Sequence, residues 1–197
     1  MPEGTPVGSG CAGRSGAVSS CAIALIICLM AALYATFPSR GYYDDDMYYA
    51  LSVRKGDPRS FLLGQPHYYF WTSLGTAAYK LGGRSGIPAT PIGVLAVLNA
   101  LLGFAGIAAM YVLQRRFSGL GRVAALLSGL FLGLSFGYWN SAVSTGKYSL
   151  ETVFLIGSFF LILEIGRRDS VLMAACCGAC IALASLSQMV DLLLFPI

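Results

Sequence analysis

Residues 67–81 read HYYFWTSLGTAAYKL, and whether this stretch crosses a bilayer or lies along it decides the orientation of the segments around it. At about 1.5 Å of rise per residue it extends only roughly 22 Å, short of a hydrocarbon core roughly 30 Å thick. It also carries Tyr68, Tyr69, Trp71, Tyr79 and Lys80, residue types that settle at the headgroup level. These two properties predict an interfacial helix rather than a span.

The surrounding chain makes the membrane the relevant solvent. Of the 197 residues 56% are hydrophobic and 11% charged, with a mean hydropathy of +0.70, whereas a soluble domain carries roughly 25% charged residues. Apolar runs of spanning length are expected over 16–37, 91–113, 123–139, 148–165 and 171–189. The expected fold class is therefore all-α, a polytopic transmembrane helix bundle with an interfacial helix in the first extracytoplasmic loop. The Pro- and Gly-rich residues 1–15 are expected to form a disordered cytoplasmic N-terminus. The run over 16–37 is too long for a signal-peptide core and has no convincing cleavage site, so it reads as a retained anchor.

Basic residues orient the bundle. Arg115, Arg116 and Arg122 fall in one short loop and Arg167 and Arg168 in another, and such loops face the cytoplasm. With 67–81 lying flat, the N-terminus is cytoplasmic and the first loop is extracytoplasmic; with 67–81 crossing, both are reversed. Arg40, Arg54, Lys55 and Arg59 in the first loop speak against the flat arrangement, while length and aromatic content speak for it. We adopt the flat one, in a multi-pass protein of the plasma or inner membrane.

The net charge of +4 is dispersed in pairs rather than gathered in a stripe with aromatics, which argues against a nucleic-acid partner. The cysteines Cys21, Cys28, Cys176, Cys177 and Cys180 sit in apolar runs, so the CxxC at 177–180 lacks the polar surroundings that zinc or redox chemistry needs. We assign no metal or disulfide there. Gly129, Gly133 and Gly137, and Ala174, Gly178 and Ala182, repeat every four residues and allow close helix packing.

Polar residues concentrate in the first loop, which opens with GYYDDDMYY over 41–49. Asp44, Asp45 and Asp46 have two readings. They cap a helix beginning near Met47, where acids favour the macrodipole, or one of them is a general base. Under the second reading Arg54, Lys55 or Arg59 would hold a phosphate. His67, the only histidine, is an interfacial packing residue or a participant in that site.

The order of these segments resembles a known family. An N-terminal helix, the loop stretch YDDDMYYALSVRKGD, a short aromatic helix introduced by GQPHYYFW, and then a bundle look like GT-C superfamily membrane glycosyltransferases, in the protein O-mannosyltransferase and aminoarabinose-transferase group. VLNALLGFAGIAAMYVLQRRF is similar to that group's next span. SFGYWNSAVSTGKYSLETVFL resembles the stretch that places a second acid before a tyrosine, and SLSQMVDLLLFPI resembles a later polar-then-apolar segment. The likeness covers about 16–197, as the N-terminal part of a GT-C-like domain that continues further in members of the family.

The resemblance implies transfer of a sugar from a polyprenyl-phosphate donor to an acceptor on the extracytoplasmic side. An aspartate among Asp44, Asp45 and Asp46 would be the catalytic base. Arg54, Lys55, Arg59, Gln65, His67, Lys147 and Glu151 would contact substrate. Two positions depart from the pattern: Gln65 stands where a histidine or lysine is usual, and Lys147 where the second acid is usual, with Glu151 one turn on. Related enzymes differ in metal use, and the aspartates alone do not identify a divalent cation. The partners implied are the lipid-linked donor, membrane lipid and an acceptor the motifs leave open. A non-catalytic subunit on the same scaffold, or a small transporter with the acids at its entrance, are the competing readings.

Overall fold

In a computed structural model of the protein, the described residues are 23–37 apart from 27 and 35, 44–56, 69–85 and 90–187, and the regular structure among them is helical. The helices are α1 (Ile23–Tyr34), α2 (Asp44–Lys55), α3 (Tyr69–Arg84), α4 (Pro91–Phe117), α5 (Arg122–Leu134), α6 (Phe136–Val143), α7 (Tyr148–Ile165) and α8 (Val171–Ser187). The expected tail over 1–15, the start of the 16–37 run, Arg59, Gln65 and His67 lie outside the described residues, as does the side chain of Asp44.

Local chemistry explains the boundaries. Thr90 caps α4 by accepting a 3.1 Å hydrogen bond from the Gly93 amide, and Pro91 occupies the first turn, where no amide partner is needed. At its far end Gly119 takes a φ of +64° just beyond the helix. Gly56, with a φ of +67°, closes α2 by donating its amide to the carbonyls of Ser52 and Val53. A side chain would be strained at either glycine.

α4 and α7, of 27 and 18 residues, are long and apolar enough to cross a membrane; α5 and α6 together add a third candidate. The first two coincide with the runs expected over 91–113 and 148–165. The third differs from expectation: the run over 123–139 is not one helix but two, bent by 66°. Ser135 causes the break. Its backbone is extended, with φ −63° and ψ 137°, and its hydroxyl donates to the Leu132 carbonyl at 2.7 Å. A serine that bonds its own helix's backbone competes with the ladder, and the glycines at 133 and 137 weaken it on both sides. α8, an apolar helix of 17 residues, covers most of the run expected over 171–189.

The helices share one polarity axis. Asn99, near the start of α4, bonds the carbonyls of Ser141 and Ser144 ahead of α7, whereas Arg116, near the end of α4, pairs with Glu164 near the end of α7. α4 and α7 therefore run parallel. α8 returns antiparallel to α7, since Lys147 at the start of α7 donates its amine to the Ser187 carbonyl at the end of α8. α1 runs alongside, with Ile23 against Leu126 and the Tyr34 hydroxyl on the Gly133 carbonyl at 2.6 Å. Among the described residues, α2 and α3 pack at the end where α4 begins. Trp71 donates to the Thr145 carbonyl at 3.0 Å, and Gly75 lies against Leu95 and Val53.

Small residues set these approaches unevenly. A Cβ added at Gly103 would lie 2.6 Å from the Ala142 Cβ, and one at Gly133 would lie 2.5 Å from Ile107 Cδ1. Gly129 also faces α4, but Gly137 meets nothing within 4 Å. On α8 the stripe of Ala174, Gly178 and Ala182 is exposed, and Cys177 and Ala184 are buried instead. The periodic glycines thus pack through two members on α5, and the α8 stripe is not what holds α8 in place. Gly103→Ala should destabilise the protein by roughly 1–3 kcal/mol through overpacking. Gly137→Ala should be neutral or stabilising by up to about 1 kcal/mol. Thermal unfolding in detergent micelles distinguishes the two.

Candidate functional site

The acidic run does not precede a helix; it opens one. α2 begins at Asp44, three residues before the expected start near Met47, so Asp45 and Asp46 lie in its first turn, where the helix dipole favours carboxylates. The first turn also points them at a cleft. Asp45, Asp46 and Tyr49 from α2 face Asn140 and Ser141 from α6, Ser144 and Gly146 from the link, and Tyr148 from α7. The space between is about 350 Å³, within the range of small-ligand sites. Asp45 is exposed in this cleft, whereas Asp46 is only 4% exposed. Asp45, Asp46 and Glu151 all lie close enough to bear electrostatically on the Tyr148 hydroxyl.

The far wall of the cleft is built from an unwound segment. Residues Ser144 to Lys147 are buried and lie outside the helices, with only the Lys147 carbonyl entering the helical ladder, by accepting from the Leu150 and Glu151 amides. Buried carbonyls without partners are costly, above all in a protein surrounded by lipid. Here side chains from two helices take over. Asn99 Nδ2 donates to the carbonyls of Ser141 at 2.6 Å and Ser144 at 3.0 Å, Trp71 Nε1 to that of Thr145, and the buried Lys147 amine reaches α8. The 66° break at Ser135 turns α6 toward this position, and the Tyr138 hydroxyl fastens it to the Gly103 carbonyl at 2.7 Å.

The interior around the segment is polar as well. The hydroxyls of Ser52, Thr76, Thr145, Ser149 and Ser185, and Asn99 Oδ1, are buried without a protein hydrogen-bond partner. All belong to this end of the molecule. The opposite end is satisfied by ion pairs, with Arg116 Nη2 2.9 Å and Arg168 Nε 3.3 Å from Glu164 Oε1.

Of the residues expected to act together, the structure gathers some and separates others. Asp45 and Asp46 meet the segment holding Lys147, and Glu151 is half-buried one turn along α7. Arg54 and Lys55 are exposed in the last turn of α2, and Arg54 lines a different, apolar groove with Met47, Leu51, Pro91 and Ile92. Nine residues of helix put Arg54 roughly 13 Å along the axis from Asp45. The cleft lining also includes Tyr49, Asn140, Ser141, Ser144 and Tyr148, which residue patterns did not single out. Asn99 carried a legible signal, a polar side chain within an apolar run, where such a residue needs a bonding partner. Among the described residues no group of three His, Cys, Asp or Glu side chains is placed to hold a metal ion.

No protein-family model, curated protein or solved structure matches this chain.

Replacing Asn99 tests the wall directly. Asn99→Leu and Asn99→Asp both remove the donor to the buried Ser144 carbonyl, at about 1–3 kcal/mol for that acceptor left unpaired, while the Ser141 carbonyl keeps the Ser144 hydroxyl. Amide exchange over residues 144–150 should rise roughly tenfold or more in both variants, with α8 little changed near Cys177.

Proposed function

We propose that this chain is a GT-C-like membrane glycosyltransferase whose catalytic cleft lies between the start of α2 and residues 140–148, on the extracytoplasmic side. One observation carries the reading. Two stretches singled out for their likeness to that family, 43–57 and 135–155, are far apart in sequence, and Asp45, Asp46 and Tyr49 of the first line the same cleft as Asn140, Ser141, Ser144 and Tyr148 of the second. In this reading α1, α4, α5/α6, α7 and α8 cross the bilayer and α3 lies at the interface. The arginine end of α4 and α7 faces the cytoplasm. α3 suits that position because its contacts are confined to the acidic end of the bundle.

The chemistry follows from what the cleft offers. Asp45, accessible in the cleft, is the base that takes the proton from the acceptor hydroxyl. Asp46, buried behind it, holds the first turn and keeps the local field negative. Tyr148, Asn140, Ser141 and Ser144 supply hydroxyl and amide groups for a sugar, a polar set suited to hydroxyl recognition. The donor is a polyprenyl-phosphate sugar that reaches the cleft laterally from the bilayer, with its lipid remaining there. Attack of the activated hydroxyl on the anomeric carbon breaks the bond to the lipid phosphate oxygen and inverts that centre.

A second reading has its own support. The described cleft lining holds no arginine or lysine, so the departing phosphate lacks a cation there, as a non-catalytic subunit on this scaffold would. The same assay separates the two. Sealed right-side-out vesicles carrying the full chain, given polyprenyl-phosphate sugar donors and an acceptor added outside, should transfer label. Asp45→Asn should reduce transfer by about 10²–10⁴-fold at unchanged membrane abundance. Full activity in Asp44→Asn, Asp45→Asn and Asp46→Asn alike would refute the site, and no transfer with any donor would favour the non-catalytic subunit.

A further inference from the structure

The arginine end carries chemistry that the proposed transfer does not use. Five arginines, Arg115, Arg116, Arg122, Arg167 and Arg168, and two acids, Glu164 and Asp169, fall in or next to the connections after α4 and α7. Glu164 is committed to Arg116 and Arg168. Arg167 lies with its guanidinium carbon 4.6 Å above the Phe117 ring and donates one Nη1 hydrogen to the Arg116 carbonyl at 3.3 Å. A guanidinium has five N–H donors, so most of its capacity is left over.

Directly beside this charge, α4 and α7 leave a groove between them. Ala108, Ala109 and Val112 face Ile156, Phe160 and Leu161 across a space of about 390 Å³ with no polar surface in its lining. The groove and the charge are continuous through two rings. Phe160, in the groove wall, stands edge-on to Phe117 at 5.3 Å, and Arg167 covers the other ring. Val112 and Phe160 each lie one helical turn from Arg116 and Glu164.

An apolar slot opening at one end onto surplus positive charge matches an amphiphile with a hydrocarbon tail and an anionic head. We propose that the α4/α7 groove binds an anionic phospholipid, one acyl chain lying against Ala109 and Phe160 and the phosphate held by Arg167. The charge complementarity selects that occupant over a neutral lipid, and the juxtaposition of basic residues with the ends of spanning helices is the setting in which anionic headgroups are held. The inference rests on α4 and α7 crossing a bilayer and is independent of the transferase reading.

The test uses the full chain purified in a neutral detergent, with thermal unfolding as the readout. Phosphatidylglycerol should raise the midpoint by roughly 3 °C or more near saturation, while phosphatidylcholine and inorganic phosphate should not. Arg167→Gln, which leaves both Glu164 ion pairs in place, and Ala109→Phe, which fills the groove without changing charge, should each remove at least half of the shift. An equal shift with phosphatidylcholine, a shift reproduced by inorganic phosphate, or a full shift retained in either variant would overturn the proposal. Because no sugar transfer is measured, failure here leaves the catalytic cleft untouched.

Discussion

Four buried residues outside the helices, Ser144 to Lys147, impose the constraint on which the acidic end of this structure depends. Their backbone groups are removed from water at a point where two helices meet, and leaving each one unpaired costs about 1–3 kcal/mol. Asn99 and Trp71 supply donors, and Lys147 adds a reach to α8. These bonds do more than satisfy the segment. They fix α3, α4 and α8 around one place, and α2 packs on α3 and α4 through Val53, Trp71 and Leu95. The cleft exists because the segment is held open there and α2 arrives opposite it.

The two ends of the parallel α4/α7 pair are chemically unlike. At the acidic end, buried hydroxyls and an unwound backbone make a polar interior, the kind of arrangement tolerated at membrane depth only where it is enclosed by protein or lines a cavity. At the other end the charges neutralise one another locally through Glu164 and leave a positive surplus. In the proposed orientation the arginine-rich end faces the cytoplasm, and the cleft with its carboxylates lies on the opposite side, where the proposed transfer would occur.

Much of the helical layout was legible because hydrophobic length is a strong signal: α4 and α7 fall where apolar runs of about twenty residues predict them. The break at Ser135 was not. One residue's ψ decides it, and the surrounding run FLGLSFGYW is as apolar as any span. The start of α2 at Asp44 was displaced because acids read equally well as a cap or as a first turn. The site was half legible. The aspartates and the stretch around Lys147 were visible as polar islands, but the pairing of Asp45 with Asn140 and Tyr148 depends on the 66° bend. Arg54 was grouped with the acids by proximity in sequence, and a helix axis separates them. The α8 stripe of small residues shows the limit of periodicity, since spacing permits a close contact without saying that a partner occupies it.

The most direct test of this arrangement joins the two walls of the cleft. In a chain with its native cysteines replaced, Asp45→Cys and Asn140→Cys should be linked efficiently by a short bifunctional maleimide in native membranes. Asp45→Cys with Ser118→Cys, at the opposite end of α4, should not. Absence of the first link, or equal linking of both pairs, would contradict a cleft formed between the acidic helix and the segment it faces.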